Sequence, residues 1–216
     1  MGKEALKRGR FITIEGGEGA GKSTQAGLLV DALSRAGIAA LRTREPGGAP
    51  GAEDIRRLLV EGDAARWDAP SEALLMVAAR RSHLTAAIWP ALERGEWVVC
   101  DRFADSTLAY QGYGGGVPLA DLEALHRMIA GDFAPDLTLI LDLPVDVGLK
   151  RTAARSGSET RFERMDRGFH ERLRQGFLDI ARREPRRCVV IDAQGGVGAV
   201  HQAMLAAVRE RLQAKL

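Results

Sequence analysis

FITIEGGEGAGKSTQAGLL, residues 11–29, decides the fold. A short apolar run leads into a glycine-rich turn, and the turn runs on into apolar residues at helical spacing. Gly16, Gly21, Lys22 and Ser23 complete G-x-x-x-x-G-K-[ST] after a predicted strand and before a predicted helix, the context that marks a phosphate-binding P-loop. With this chain's usage of glycine, lysine, serine and threonine, the pattern arises by chance in only about half a per cent of such sequences, so a merely flexible glycine loop is the poorer reading. In such a loop successive backbone N–H groups converge on phosphate oxygens, and the helix N-terminus adds partial positive charge. Of the 31 basic residues only Lys3, Lys7, Lys22, Lys150 and Lys215 are lysine. At position 22 a compact charge on a flexible stem can follow a moving phosphoryl group, whereas a guanidinium is bulkier and fixed in its fork. The Ser23 hydroxyl is placed to coordinate Mg²⁺, with water in most other positions.

Outward from this loop, apolar runs recur at 38–44 (IAALRTR), 97–101 (WVVCD), 137–143 (LTLILDL) and 188–193 (CVVIDA), each but the last followed by room for a crossover helix. Runs apolar throughout suit strands covered on both faces. The pattern predicts a doubly wound α/β fold: five parallel strands with helices on both sides. Pro70-Ser71 and Pro118 with Asp121 punctuate helix starts, while Gly95 and Gly131 sit where helices stop. VGAVHQAMLAAVRERLQ, from 197, reads as a closing amphipathic helix in which His201 is a packing or surface residue. Ligands of such sheets bind beyond the carboxyl ends of the strands. Attention therefore falls on Glu15, Arg44, Asp101 and Asp142 and the residues after each.

The 216 residues carry a formal net charge of +2, which gives little reason to expect a nucleic-acid or membrane surface. The apolar run after MGKEALKRGR is too short for a signal peptide or a span, so a cytoplasmic location is expected. Cys100 and Cys188 lie in or beside β-branched runs and read as buried thiols. A GTP switch reads guanine through an Asn-Lys-x-Asp signature, yet the chain contains no asparagine. A small-molecule phosphotransferase needs instead a second anion site and a cover that excludes water. Asp101 and Arg102 in CDRFADSTLAYQG meet the first need: Arg102 as a grip on the acceptor phosphate, Asp101 as a holder of magnesium-bound water. Arg151, Arg155, Arg161 and Arg164 in KRTAARSGSETRFERMD read as a mobile lid over about 151–166. Within it Arg155 is the functional candidate, while Arg164 and Arg167 read as solvated helix positions.

IEGGEGAGKSTQ, TREPGGAPGAEDIRRLL, EALLMVAARRSHL, CDRFADSTLAYQG, PDLTLILDLPVDVGLKR and RFE, in this order and spacing, make the chain resemble the thymidylate kinases. The resemblance spans Phe11 to about Asp192. It implies a P-loop nucleoside monophosphate kinase fold, a single domain over 1–216, ATP as donor, dTMP as acceptor, Mg²⁺ as cofactor and a homodimer built from the helices after residues 70 and 120. Direct nucleic-acid and membrane partners are not implied. By the resemblance Gly16, Gly17, Glu18, Gly19, Ala20, Gly21, Lys22, Ser23, Thr24 and Arg151 belong to the ATP site, with Arg151 toward adenine. Glu18, Arg44, Pro46, Met76, Arg80, Arg102, Ser106, Thr107, Tyr110 and Gln111 belong to the dTMP site, and Ser23 and Asp101 to the metal. Glu18 matches a carboxylate near the 3′-hydroxyl and phosphate end of dTMP, Arg44 to Gly48 the loop along the nucleotide, Arg80 the arginine at the thymine carbonyl and Arg102 the phosphate grip. Ser106 and Thr107 match the polar pair beside thymine, and Tyr110 the aromatic that crowds out a 2′-hydroxyl. The loop has no arginine of its own, so the resemblance is to the type whose lid supplies it: Lys22, Arg102 and Arg155 carry catalysis, and Glu163 is a matched lid position. Met76 departs from the family, which usually has an aromatic residue there. A methionine sulfur still packs on a π-face at roughly 0.3–1.5 kcal/mol, and a looser choice among pyrimidines follows. Two other readings fit the same residues: another nucleotide kinase on the same fold, and a non-catalytic nucleotide-binding module.

Overall fold

The computed structural model describes residues 8–61, 66–153, 162 and 165–216. Five strands, β1 (Phe11–Gly16), β2 (Ala40–Arg44), β3 (Trp97–Asp101), β4 (Leu137–Asp142) and β5 (Cys188–Asp192), form one sheet in the order β2-β3-β1-β4-β5. Every pairing is parallel. The expected doubly wound α/β sheet is therefore what forms. Central β1 is buried at every position, and β4 at all but its last, while the edge strands β2 and β5 are only partly covered. That difference follows from helices lying on both faces of the centre.

The strand periodicity of two sorts the core into layers. Ile12, Ile14, Val99, Leu139 and Leu141 point to one face, where α1 (Lys22–Arg35) and α9 (Val197–Leu212) cover them with Leu29, Leu33, Met204 and Val208. Phe11, Val98 and Cys100 point to the other face and pack with Leu84, Ile88, Leu92 and Phe103. Ile140 and Cys188 share that face with α8 (Arg167–Arg183) through Leu173, Phe177 and Ile180. Cys100 and Cys188 are free and buried, as their runs predicted.

The remaining helices are α2 (Pro50–Val60), α3 (Ala69–His83), α4 (Trp89–Glu93), α5 (Ala104–Thr107), α6 (Leu119–Ala130) and α7 (Val145–Ala153), with π-helical turns at Leu84–Ile88 and Leu108–Gly114. Asp68 caps α3 by accepting from the Ser71 N–H, ahead of the Ala69-Pro70 start. Gly131 ends α6 with a positive φ of 61°, and Gly95, with a φ of 80°, follows α4, where the glycine signals placed them. No helix among the described residues is long and apolar enough to cross a membrane.

Candidate active site

The register brings the carboxyl ends of β2, β3 and β1 together: Arg44 pairs with Asp101, and Ile14 with the same residue from the other side. The loop from Gly16 to Gly21 leaves β1 at this edge and feeds α1. It is held against α7 by a backbone-to-backbone approach. A Cβ on Gly19, whose φ is 70°, would run into the Gly148 carbonyl, and one on Gly148 would run into the Glu18 carbonyl. Both positions need glycine for that reason. One turn of α7 beyond Gly148, Arg151 Nη1 lies 3.4 Å from the Gly19 carbonyl oxygen and 3.3 Å from that of Ala193.

Lys22 is buried, and its ammonium donates to the Gly17 carbonyl at 2.7 Å, folded back over the loop it serves. Burial, joined by the nearby Arg102 charge, lowers it to about 8, against the pull of Glu18, Asp101 and Glu15. The Ser23 hydroxyl donates to Asp101 Oδ2, so the two oxygen groups expected at a metal do meet. This pair fits Mg²⁺, a hard cation that takes few protein oxygens and keeps water and phosphate for the rest. Among the described residues no cluster of three or more His, Cys, Asp or Glu offers another site.

Arg102 and Glu18 form the centre of the second anion site. Arg102 Nη2 donates to Glu18 Oε1 at 2.9 Å and Nη1 to the Gly16 carbonyl at 3.0 Å and Ser106 Oγ at 3.3 Å. Its guanidinium lies over the Tyr110 ring, 4.8 Å from the centroid, and the Tyr110 hydroxyl donates to Glu18 Oε1. Burial opposes the Glu18 charge, but Arg102, Lys22 and the Tyr110 hydrogen bond overcome it and hold the carboxyl down at about 2. Burial also pushes the Tyr110 hydroxyl well above its ordinary range, which keeps it a neutral donor.

Arg80 occupies the next layer. It is buried, its Nε donates to Glu45 Oε2 at 2.8 Å and its Nη2 to Thr107 Oγ1 at 2.9 Å, and it stacks over Phe103 at 5.0 Å. Glu45 also lies 3.2 Å from His83 Nδ1, whose other nitrogen meets Thr43 Oγ1 at 2.7 Å. Arg44 stays at the surface, paired with Glu53, and Pro46 follows a cis peptide bond while its carbonyl accepts from Arg56. Met76 is half-buried on α3. Gln111 donates to Glu72 Oε2 at 3.0 Å. Ala20 is buried at the turn and Thr24 exposed on the first turn of α1. Arg155, Arg161, Glu163 and Arg164 lie outside the described residues. Arg167 is exposed and pairs with Asp146 and Glu171, in keeping with a solvated helix position.

Three features could not be read from the motifs, although Arg102, Glu15 and Asp105 lie within them. Arg102 has a left-handed backbone, φ 72°. Glu15 is a buried carboxylate beneath it. Asp105 is gripped by both Arg187 nitrogens at 2.7 and 2.9 Å, across 82 residues of sequence. Taken as chemistry, the edge offers a phosphate cradle with a buried ammonium, a hydroxyl and carboxylate pair that fits a divalent cation and a guanidinium held by a carboxylate that its neighbours keep ionised at neutral pH.

Comparison with known proteins matches residues 14–204 to the family model described as Thymidylate kinase. The chain is similar to the thymidylate kinase of Caulobacter vibrioides, 56% identical over 207 residues that cover 96% of this chain and 99% of that one. It is similar to the thymidylate kinase of Nitrobacter hamburgensis, 53% identical over 212 residues, 97% of this chain and 92% of that one. Among solved structures it resembles the thymidylate kinase of Ehrlichia chaffeensis with a TM-score of 0.75 and 36% identity, covering 93% of this chain and 99% of that one.

Proposed function

The chain belongs to the thymidylate kinase family, and from that premise we propose that it transfers the γ-phosphoryl group of ATP to the phosphate of dTMP, giving dTDP for DNA synthesis. The observation that carries the reading is the pairing of two anion sites at one sheet edge: Lys22 over the loop, and Arg102 fixed beside it by Glu18. ATP lies along residues 16 to 24 with Arg151 beyond. dTMP lies between the Arg44–Pro46, Met76–Arg80 and Arg102–Gln111 segments, with its phosphate oxygen in line for the γ-phosphorus.

Positioning and charge carry most of the catalysis in phosphoryl transfer. Glu18, ionised at neutral pH, takes no proton; it orients Arg102 and the Tyr110 hydroxyl. Lys22 is mostly charged at neutral pH and leaves the Gly17 carbonyl to follow the transferred group. Mg²⁺, held at Ser23 and Asp101, would neutralise charge on the donor phosphates. Arg155 supplies further charge on this reading, a role that rests on its place in the sequence alone; Arg155→Ala is expected to lower turnover by orders of magnitude while ATP still binds.

The protein works as one cytoplasmic kinase domain and as a homodimer on this reading. Leu74 on α3 and Met128 on α6 support the second copy, because these apolar side chains are 57% and 73% exposed on helices that pack together. The test is ADP release with ATP and Mg²⁺ and with dTMP, dUMP, UMP, dCMP and dGMP as acceptors. Strong preference for dTMP is expected. Activity spread over pyrimidines would retain the kinase and change the acceptor, and ATP binding without turnover would favour a signalling module.

A further inference from the structure

Glu15 stands one residue before the end of β1, wholly buried on the sheet face that carries Phe103 and α8. A carboxylate survives such burial only with hydrogen-bond donors on its oxygens. Its Oε1 accepts from the Phe103 backbone N–H at 2.7 Å, and its Oε2 accepts from the Ser106 hydroxyl at 2.6 Å. Both donors follow Arg102, whose left-handed backbone is disfavoured for any residue with a Cβ and persists only when its surroundings fix it. On the other side, the Arg102 N–H donates to the Ile14 carbonyl at 3.0 Å, and its guanidinium to the Gly16 carbonyl at 3.0 Å. Three successive residues of β1 thus clasp the segment from 102 to 106, with Glu15 as the only side chain of the three that takes part.

We infer that Glu15 is a positioning residue for the phosphoryl acceptor, acting through Phe103 and Ser106 to hold the strained Arg102 backbone and aim its guanidinium at the acceptor phosphate. The residue type follows from the donors. Two donors converge on one group, and among side chains of this length only a carboxylate offers an acceptor to each. Glutamine keeps the volume and one acceptor but turns a second donor toward Ser106 Oγ. Arg187 anchors the neighbouring Asp105 independently, so loss of Glu15 releases Arg102 without freeing the whole of α5. Burial and the Asp105 charge together raise the Glu15 carboxyl to about 7, against Ser106, Arg102 and the Phe103 N–H; the group is strained electrostatically where a purely structural position would be filled by an apolar residue.

The kinetic arm of the test rests on the proposed dTMP kinase activity; the second arm does not. In the full-length protein, Glu15→Gln is expected to lower kcat/KM for dTMP about tenfold and Glu15→Ala about a hundredfold, the scale of one and two buried hydrogen bonds at about 1.4 kcal/mol each. KM for ATP is expected to change by less than about twofold. By NMR, exchange of the Phe103 amide hydrogen should accelerate in both variants relative to the amides of β3. If the wild type does not phosphorylate dTMP but Phe103 exchange still accelerates, the functional reading fails and takes the acceptor role with it, while the hold of Glu15 on the segment after Arg102 stands. If Phe103 exchange is unchanged, or KM rises equally for both substrates as the melting temperature falls, the inference is overturned, whatever the activity. Glu15→Gln keeps the test open should Glu15→Ala not fold.

Discussion

Replacing Glu45 by glutamine tests the buried support of the acceptor site. Glu45 and Arg80 side chains are 4% and 3% exposed and meet at 2.8 Å, and His83, wholly buried, closes on the other carboxylate oxygen. Glutamine preserves volume and one acceptor, so no cavity forms; what is lost is the charge opposite a buried guanidinium. Hydrogen bonds to charged groups contribute about 1.5–3 kcal/mol, and breaking a buried pair outright costs about 3–5 kcal/mol. Because one hydrogen bond survives, a loss of about 2–3 kcal/mol is expected, which at about 2–4 °C per kcal/mol for a chain of this size lowers the melting temperature by about 4–12 °C. The assay is urea unfolding of the wild type, Glu45→Gln, Arg80→Met and the double variant Glu45→Leu/Arg80→Met. The double variant should lose less than Glu45→Gln, since apolar replacement of both partners removes the stranded charge. A Glu45→Gln loss below about 0.5 kcal/mol would show that the charge contributes nothing here and refute the reasoning.

Three further outcomes follow from the geometry. Gly148→Ala should destabilise the protein and raise KM for ATP, although helix propensity alone predicts a gain of about 1 kcal/mol, because its methyl would press on the Glu18 carbonyl; a stabilised variant with unchanged KM contradicts this. As pH rises through about 8, kcat/KM for ATP should fall, since Lys22, depressed by burial and Arg102, then loses the proton that gives it its charge; a rate that keeps climbing to pH 9 removes Lys22 as the titrating group. Met76→Phe should tighten dTMP binding and sharpen the choice among pyrimidines, and equal dTMP affinity in both proteins would mean that Met76 only packs.

The sheet was legible because its chemistry is local. Apolar runs mark strands covered on both faces, and the P-loop pattern announces its own turn. Three of the runs overshoot their strands: Ile38 and Ala39 precede β2, because its partner β3 starts only at Trp97, opposite Ala40, and Leu143 and Ala193 follow β4 and β5, whereas β1 extends to Gly16, one residue past FITIE. The identities at the carboxyl edge were also legible, since Ser23, Asp101 and Arg102 sit at fixed offsets from strand ends. What holds them was not. Glu15 meets Ser106 across 91 residues, Arg80 meets Glu45 across 35 and Arg187 meets Asp105 across 82, and no local period encodes such pairings. The left-handed turn at Arg102 was equally hidden, because an arginine carries no conformational signal of the kind a glycine does. Nor do the π-helical turns at Leu84–Ile88 and Leu108–Gly114 leave a mark in the apolar pattern.

The central claim is that this edge moves one phosphoryl group between two nucleotides. The direct measurement incubates the protein with Mg²⁺, dTMP and ATP labelled with ³²P at the γ position, and follows where the label goes. The account predicts dTDP labelled at its β-phosphorus, formed one for one with ADP. Label found in inorganic phosphate, or none leaving ATP while ATP remains bound, would contradict it.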